Sequence, residues 1–214
     1  MMTLRLKTMA SGHTGVRPKV VTAYADLLNS GLVPVVGEYG SLGCSGDLAP
    51  LAHCALVLTG EGTVLTPDGD EVDAATGLAQ AGLKPVSLRE KEGLALINGT
   101  DGMLSQLIMA LADLDVLVPT ADLATAMTVQ ALCGIDRVFA PDLQALRPHP
   151  GQATSAANIL ALLEGSDLIQ AGREGAAKRV QDAYSLRCAP QVHGAVRDTC
   201  LLYTSDAADE GLGV

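Results

Sequence analysis

The chain has 214 residues, is 48% apolar but only 2% aromatic, and sets 24 acidic against 14 basic residues for a net charge of -10. That length permits one sizeable domain or part of a larger one, and the lack of aromatic side chains argues against a β-sandwich and for packed helices. The acidity argues against a phosphate-backbone partner, which draws on clustered Lys and Arg, so no nucleic acid is expected.

In chain order, "VRPKVVTAYADLLNSG" places Val16, Val20, Val21, Tyr24, Leu27 and Leu28 at helical spacing, with Pro18 at the start and Gly31 past the end. After the loop "GSLGCSG", Asp47 is placed to cap a helix from Leu48 to Thr59, with Pro50 in its first turn. "GTVLTPDGDEV" alternates around a Pro-Asp-Gly turn and predicts one small β-hairpin near residues 62–73, then a short helix to Ala81. Met103, Leu104, Leu107, Ile108, Leu111, Leu114 and Leu117 form a stripe that Pro119 should end, with Thr120 capping a second helix that stops near Gly134. A Pro-rich loop leads into "SAANILALLEG", and the last helical stretch, "AAKRVQDAYSLRCAPQVHGAVRD", is interrupted at Pro190. The fold class is therefore mainly α, a bundle of long helices with one hairpin.

The five cysteines show neither a C-x-x-C pair nor metal-ligand spacing, which predicts reduced thiols, a cytoplasmic setting and no metal. The N-terminal stretch "MMTLRLKTMASGHTG" has no apolar signal-peptide core, and no run reaches the ~18 apolar residues of a membrane span, so no membrane association is expected.

The chemistry concentrates in "GSLGCSGDLAPLAH". A Ser nucleophile with His53 as base fits poorly, because the second Gly follows Ser45 directly, no parallel βαβ alternation is visible, and His53 falls roughly 9 Å along the helix. The alternative makes the backbone the reagent. In a sharply bent loop the Gly46 nitrogen can attack the Cys44 carbonyl carbon and close a five-membered ring with loss of water; only Gly tolerates that compression. Loss of a second water from Ser45 leaves a conjugated exocyclic methylidene, a strong electrophile.

These residues, with "EKEGLALINGT", "LRPHPGQ", "SAAN" and "VQDAYSLRCAPQVHGA", resemble the aromatic amino acid ammonia-lyases from about Arg5 to Thr199. The resemblance implies a methylidene-imidazolone (MIO) formed from Cys44, Ser45 and Gly46, with Asp47 supporting the loop and helix N-terminal amides near Asp47 stabilising charge on the ring oxygen; no metal or nucleotide cofactor is implied. It implies non-oxidative loss of ammonia, with L-histidine giving urocanate favoured by "GDLAPLAH", "RPHPGQ" and "QDAYSLR", and phenylalanine or tyrosine as the alternative substrates. Carried over residue by residue, it places Asn98 and Gln181 at the substrate, Tyr184 among the catalytic residues and Arg187 on the substrate carboxylate. Gln181, Tyr184 and Arg187 recur every third residue, which predicts one helical face.

Without the resemblance, Asn98 reads as a turn or helix cap, Arg187 as a surface charge, Tyr184 as half-buried core, and a catalytically incompetent helical fragment remains the competing reading. His193 is left out of the chemistry and His149 reads as a loop residue; Cys54, Cys133 and Cys188 read as small buried side chains. The family pattern further implies a preceding segment with a base Tyr and a pocket His, further helices after Thr199, and assembly as a homotetramer. Residues 1–199 are then a partial lyase domain, and the tail "CLLYTSDAADEGLGV", residues 200–214, departs from the pattern and reads as non-native sequence.

Overall fold

The computed structural model describes residues 1–44, 47–175 and 179–209. They form two units, Met1–Met109 and Ala110–Val214.

The first unit contains α1 (Met2–Ala10), α2 (Pro18–Asn29), β1 (Val33–Pro34), α3 (Leu48–Thr59), β2 (Thr63–Leu65), β3 (Glu71–Asp73), α4 (Ala74–Gln80) and α5 (Glu92–Ile97). The stripe predicted for α2 is the one it buries: Val20, Tyr24 and Leu27 are inaccessible and pack with Met9, Val57, Leu58, Val64, Leu78 and Leu96. Each large apolar side chain so buried contributes about 2 kcal/mol. The hairpin pairs Val64 with Val72, and Thr66 N–H closes its turn on the Asp70 carbonyl (2.9 Å). A third antiparallel strand, β1, pairs Val33 with Leu65, and two residues were too short a run to read as alternation. Asp73 then caps α4, accepting the Thr76 N–H at 2.9 Å.

The long helix α6 (Asp101–Ala131) gives Asp101–Met109 to the first unit and the remainder to the second. It corrects the expectation of two helices, since it runs through Pro119 without a break. Proline removes one N–H from the ladder, and here Thr120 does not cap a new helix: its hydroxyl donates back to the Val116 carbonyl at 2.7 Å, covering an acceptor beside the defect.

Beyond it lie a 3-10 turn (Asp136–Phe139), α7 (Pro141–Gln144), α8 (Pro150–Leu163), α9 (Asp167–Arg173), α10 (Tyr184–Arg187) and α11 (Ala189–Asp209). Pro190 sits in the first turn of α11, and the interruption falls just before it, at Cys188. Ala126, Val129, Phe139, Ala156, Ile159 and Ile169 form this unit's core. α8 and α11 cross backbone against backbone at Gly151 and Gly194, where a Cβ on Gly194 would collide with the main chain of Gln152. Polar contacts fix the crossing: Asp198 on α11 accepts the Gly151 N–H at 2.8 Å, and Arg197 Nε donates to Ser155 Oγ at 2.9 Å. A carboxylate on the first turn of α8 also complements the helix dipole.

Gly194→Ala should therefore lower the unfolding free energy by about 1–3 kcal/mol through overpacking at this crossing, read as a lower midpoint in urea denaturation with helicity retained.

Candidate functional site

Asp47 is fully buried, and its carboxylate works backwards along the chain. It accepts the Ser41 hydroxyl at 2.9 Å and the Leu42 N–H at 3.0 Å, so it does not cap α3 as expected: the position precedes the helix but makes no side-chain cap bond. Oδ2 also lies against Gly102 in the first turn of α6, where a Cβ would stand 2.6 Å away, so only glycine admits the carboxylate there. The Asp47 N–H donates to the Cys44 carbonyl at 3.0 Å, which holds together the residues flanking Ser45 and Gly46; those two lie outside the described residues. Cys44 is exposed. His53 accepts the Gly37 N–H on Nδ1 (3.2 Å), a structural tie.

Asn98 follows α5 as its C-cap, in extended conformation (φ -94°, ψ 103°). Both ends of α5 are anchored by buried charge. At its start, Arg17 donates through Nε and Nη2 to the two oxygens of Glu92, each at 2.7 Å, and the Arg89 N–H adds a bond of 2.7 Å. At its end, Arg5, 2% exposed, donates from Nη1 to the Asn98 carbonyl (2.7 Å) and to Asp101 Oδ2 (3.0 Å). Nothing in "MTLRLKT" marks that arginine as buried, and the sequence reading missed it.

In the second unit, Tyr184 and Arg187 occupy the single turn α10, with the guanidinium 4.4 Å from the centroid of the Tyr184 ring. Tyr184 is 73% exposed, which overturns its reading as half-buried core. Gln181 precedes the helix, so the three-residue spacing does not place it on a shared helical face. Asp182 is the reason: its carboxylate is drawn to Arg179 Nε (2.6 Å) and the Ile135 N–H (2.7 Å), which holds this stretch out of helix. Only the Asp182 carbonyl meets Arg187, accepting Nε at 2.8 Å. Among the described residues six arginines pair with carboxylates, Arg5, Arg17, Arg137, Arg173, Arg179 and Arg197, whereas Arg187, like Arg89 and Arg147, has no carboxylate partner.

Elsewhere, Asp122 is buried and accepts from Asn158 (3.0 Å) and Arg197 (2.7 Å), with His193 Nδ1 at 2.8 Å. Burial opposes ionisation of Asp122, but these three partners outweigh it and hold its pKa below the usual carboxylate range. His193 thus has a structural partner that the sequence reading did not find. Cys54 is buried and its thiol is pushed up to about 11 by burial, whereas Cys133 and Cys188 are only partly buried. His149 is the residue preceding α8. A groove of about 1120 Å³ lined by Phe139, Ala156, Leu160 and Ile169 includes none of the expected site residues. Among the described residues no group of three or more His, Cys, Asp or Glu is placed to hold a metal, and no helix is long and apolar enough to cross a membrane.

Of the residues expected from the sequence, Cys44, Asp47 and Asn98 fall in the first unit and Gln181, Tyr184 and Arg187 in the second. The chain matches the family model "Aromatic amino acid lyase" over residues 1–210. It belongs to that family. Among its relatives, the histidine ammonia-lyase of Streptomyces avermitilis is 63% identical over 199 residues, covering 93% of this chain and 39% of the relative. Among solved structures, histidine ammonia-lyase from Trypanosoma cruzi superposes with a TM-score of 0.77 at 37% identity, over 93% of this chain and 36% of that one. The tyrosine aminomutase of Streptomyces globisporus gives 0.78 at 40% identity, over 94% and 40%. The chain therefore spans about two fifths of the length of the curated relative it matches at 63% identity.

The Glu92 anchor is pH-dependent. The hydrogen bonds and charge of Arg17 hold its carboxyl down at about 2, against about 4.3 in an unfolded chain. A depressed carboxylate stabilises the fold above the unfolded pKa and loses that contribution as pH falls through the window toward 2. Urea midpoints measured between pH 7 and pH 2.5 should fall more steeply for the parent chain than for Glu92→Gln.

Proposed function

We propose that this chain is part of a histidine ammonia-lyase, contributing the electrophile precursor Cys44-Ser45-Gly46 and one set of substrate contacts to the conversion of L-histidine to urocanate and ammonia. The observation that carries this reading is the 63% identity over 199 residues to the Streptomyces avermitilis enzyme. Two local features support it: a Cys44 carbonyl held by the Asp47 N–H, and an Arg187 with no acidic partner among the described residues.

The hydrogen bond from the Asp47 N–H to the Cys44 carbonyl keeps the residues on either side of Ser45 and Gly46 close, which favours ring closure, and the buried Asp47 carboxylate keeps the preceding loop in place through Ser41 and Leu42. MIO, once formed, supplies an electrophile that withdraws electron density from the substrate and makes its weakly acidic Cβ–H removable. Arg187 receives the substrate carboxylate on the edge of the guanidinium not used by Asp182, in the planar two-point geometry that Lys lacks. Tyr184 holds that plane by stacking and presents its exposed hydroxyl for proton exchange at the amino acid. The carboxamides of Asn98 and Gln181, both exposed, donate to or accept from the substrate's polar atoms.

Self-association to a homotetramer belongs to the same reading. Val116, Leu117 and Met127 on α6 are 70%, 59% and 61% exposed, an apolar face that a second copy would cover. Cys44, Cys54, Cys133 and Cys188 form no disulfide among the described residues, as a reducing cytoplasm would keep them.

The reading is tested by intact mass and by product. The parent chain should be lighter than its sequence mass by two water molecules, and Ser45→Ala should show no such deficit. Grafted in place of the matching 199 residues of the Streptomyces avermitilis relative, this segment should sustain urocanate formation. Cinnamate or coumarate instead would assign it to a phenylalanine or tyrosine lyase, and no product with no mass deficit would mark a non-catalytic piece. In the same graft, Arg187→Met should raise KM for L-histidine on the order of tenfold to a hundredfold, the loss of a charged hydrogen-bond pair.

A further inference from the structure

Asn98 is fixed through its main chain alone. Its N–H donates to the Leu94 carbonyl at 2.9 Å, closing the last turn of α5, and its carbonyl accepts Arg5 Nη1 at 2.7 Å. The following residue, Gly99, packs so closely on Arg5 Nη1 and Asp101 Oδ2 that a Cβ has no room. The side chain is the opposite case: Asn98 is exposed, and among the described residues its carboxamide makes no hydrogen bond. Its backbone N–H and carbonyl are both engaged, and among the described residues its side chain is not.

We propose that Arg5 is a positioning residue for the lyase reaction, aiming the Asn98 carboxamide at the substrate by gripping the Asn98 carbonyl, without itself touching the substrate. The proposal rests on the reading of Asn98 as a substrate contact. α5 has six residues, too few to fix its own C-terminal peptide, so an external donor sets the direction in which Asn98 leaves the helix. A guanidinium is suited to this. It is a cation at a helix C-terminus, where the dipole favours positive charge, and a charged donor makes the stronger bond to the carbonyl. Its own burial is matched by Asp101 in the first turn of α6, so one nitrogen joins the end of one helix to the start of the next. Rotation of the Asn98 peptide swings the carboxamide at its Cβ, and an error of about 1 Å in a reacting group's neighbour is enough to slow a reaction about 100-fold.

The test uses the graft into the Streptomyces avermitilis relative for kinetics and the 214-residue chain for structure. Arg5→Met alone strands the buried Asp101, so it is combined with Asp101→Asn; Arg5→Lys keeps the charge and serves as the second variant. Relative to the parent graft, kcat for L-histidine should fall about 100-fold in Arg5→Met/Asp101→Asn and about tenfold in Arg5→Lys, with KM moving less than about threefold. In the chain itself the Asn98 carbonyl 13C resonance should shift in both variants, reporting the altered hydrogen bond independently of activity. A folded variant, by thermal melting, with parental kcat overturns the proposal, as does an unmoved Asn98 carbonyl resonance. An Asn98→Ala graft separates the two layers: if it is impaired while the Arg5 variants are not, only the positioning role falls; if it retains parental kcat, the reading of Asn98 falls and the positioning role with it.

Discussion

A buried carboxylate must be matched by a positive charge or by several hydrogen bonds, and in a chain with 24 acids and 14 bases that requirement organises much of the architecture. Arg5 reaches Asp101, Arg17 reaches Glu92, and Arg197 reaches Asp122 across 96, 75 and 75 residues of sequence. Leu- and Ala-rich surfaces pack in many registers with little difference in energy. Charged pairs at fixed points do not, and they select the register in which α5 sits against α1 and α2, and in which α11 sits against α6.

The same pairings explain which parts of the molecule were legible in the sequence. Helices with local punctuation, such as α2 with Pro18 and Gly31, or α3 with Pro50 in its first turn, were readable because their causes are local. The hairpin was readable for the same reason, while β1 was not, since two residues become a strand only through a partner. Pro119 misled because an interior proline usually ends a helix; the hydroxyl of Thr120 and the packing of α6 override that preference. Asp47 misled because its position fits a cap while its oxygens serve Ser41 and Leu42 instead.

Within the candidate site, resemblance named the residues but not their surroundings. No periodicity shows that Gln181 lies outside the helix of Tyr184 and Arg187, because the cause is the distant Ile135 N–H that holds Asp182. Arg5 and His193 were invisible for a related reason: their partners, Asn98 with Asp101 and Asp122, lie 71 to 96 residues away. The sequence alone describes well the inventory of reactive groups; it omits which of them the fold has already used.

Arg187 is a charge that the fold has not used in an ion pair among the described residues. Its nearest acid in sequence, Asp182, is turned toward Arg179 and Ile135, so the guanidinium keeps an open edge in a strongly acidic chain. An open fork of this kind does not distinguish an amino acid's carboxylate from other anions of similar shape. Phosphate or acetate in a buffer would compete for it, and its long-range pull on any anion is damped beyond about 10 Å at about 0.1 M salt. With Arg187 in its proposed role, the choice of buffer anion therefore becomes a variable of the chemistry itself.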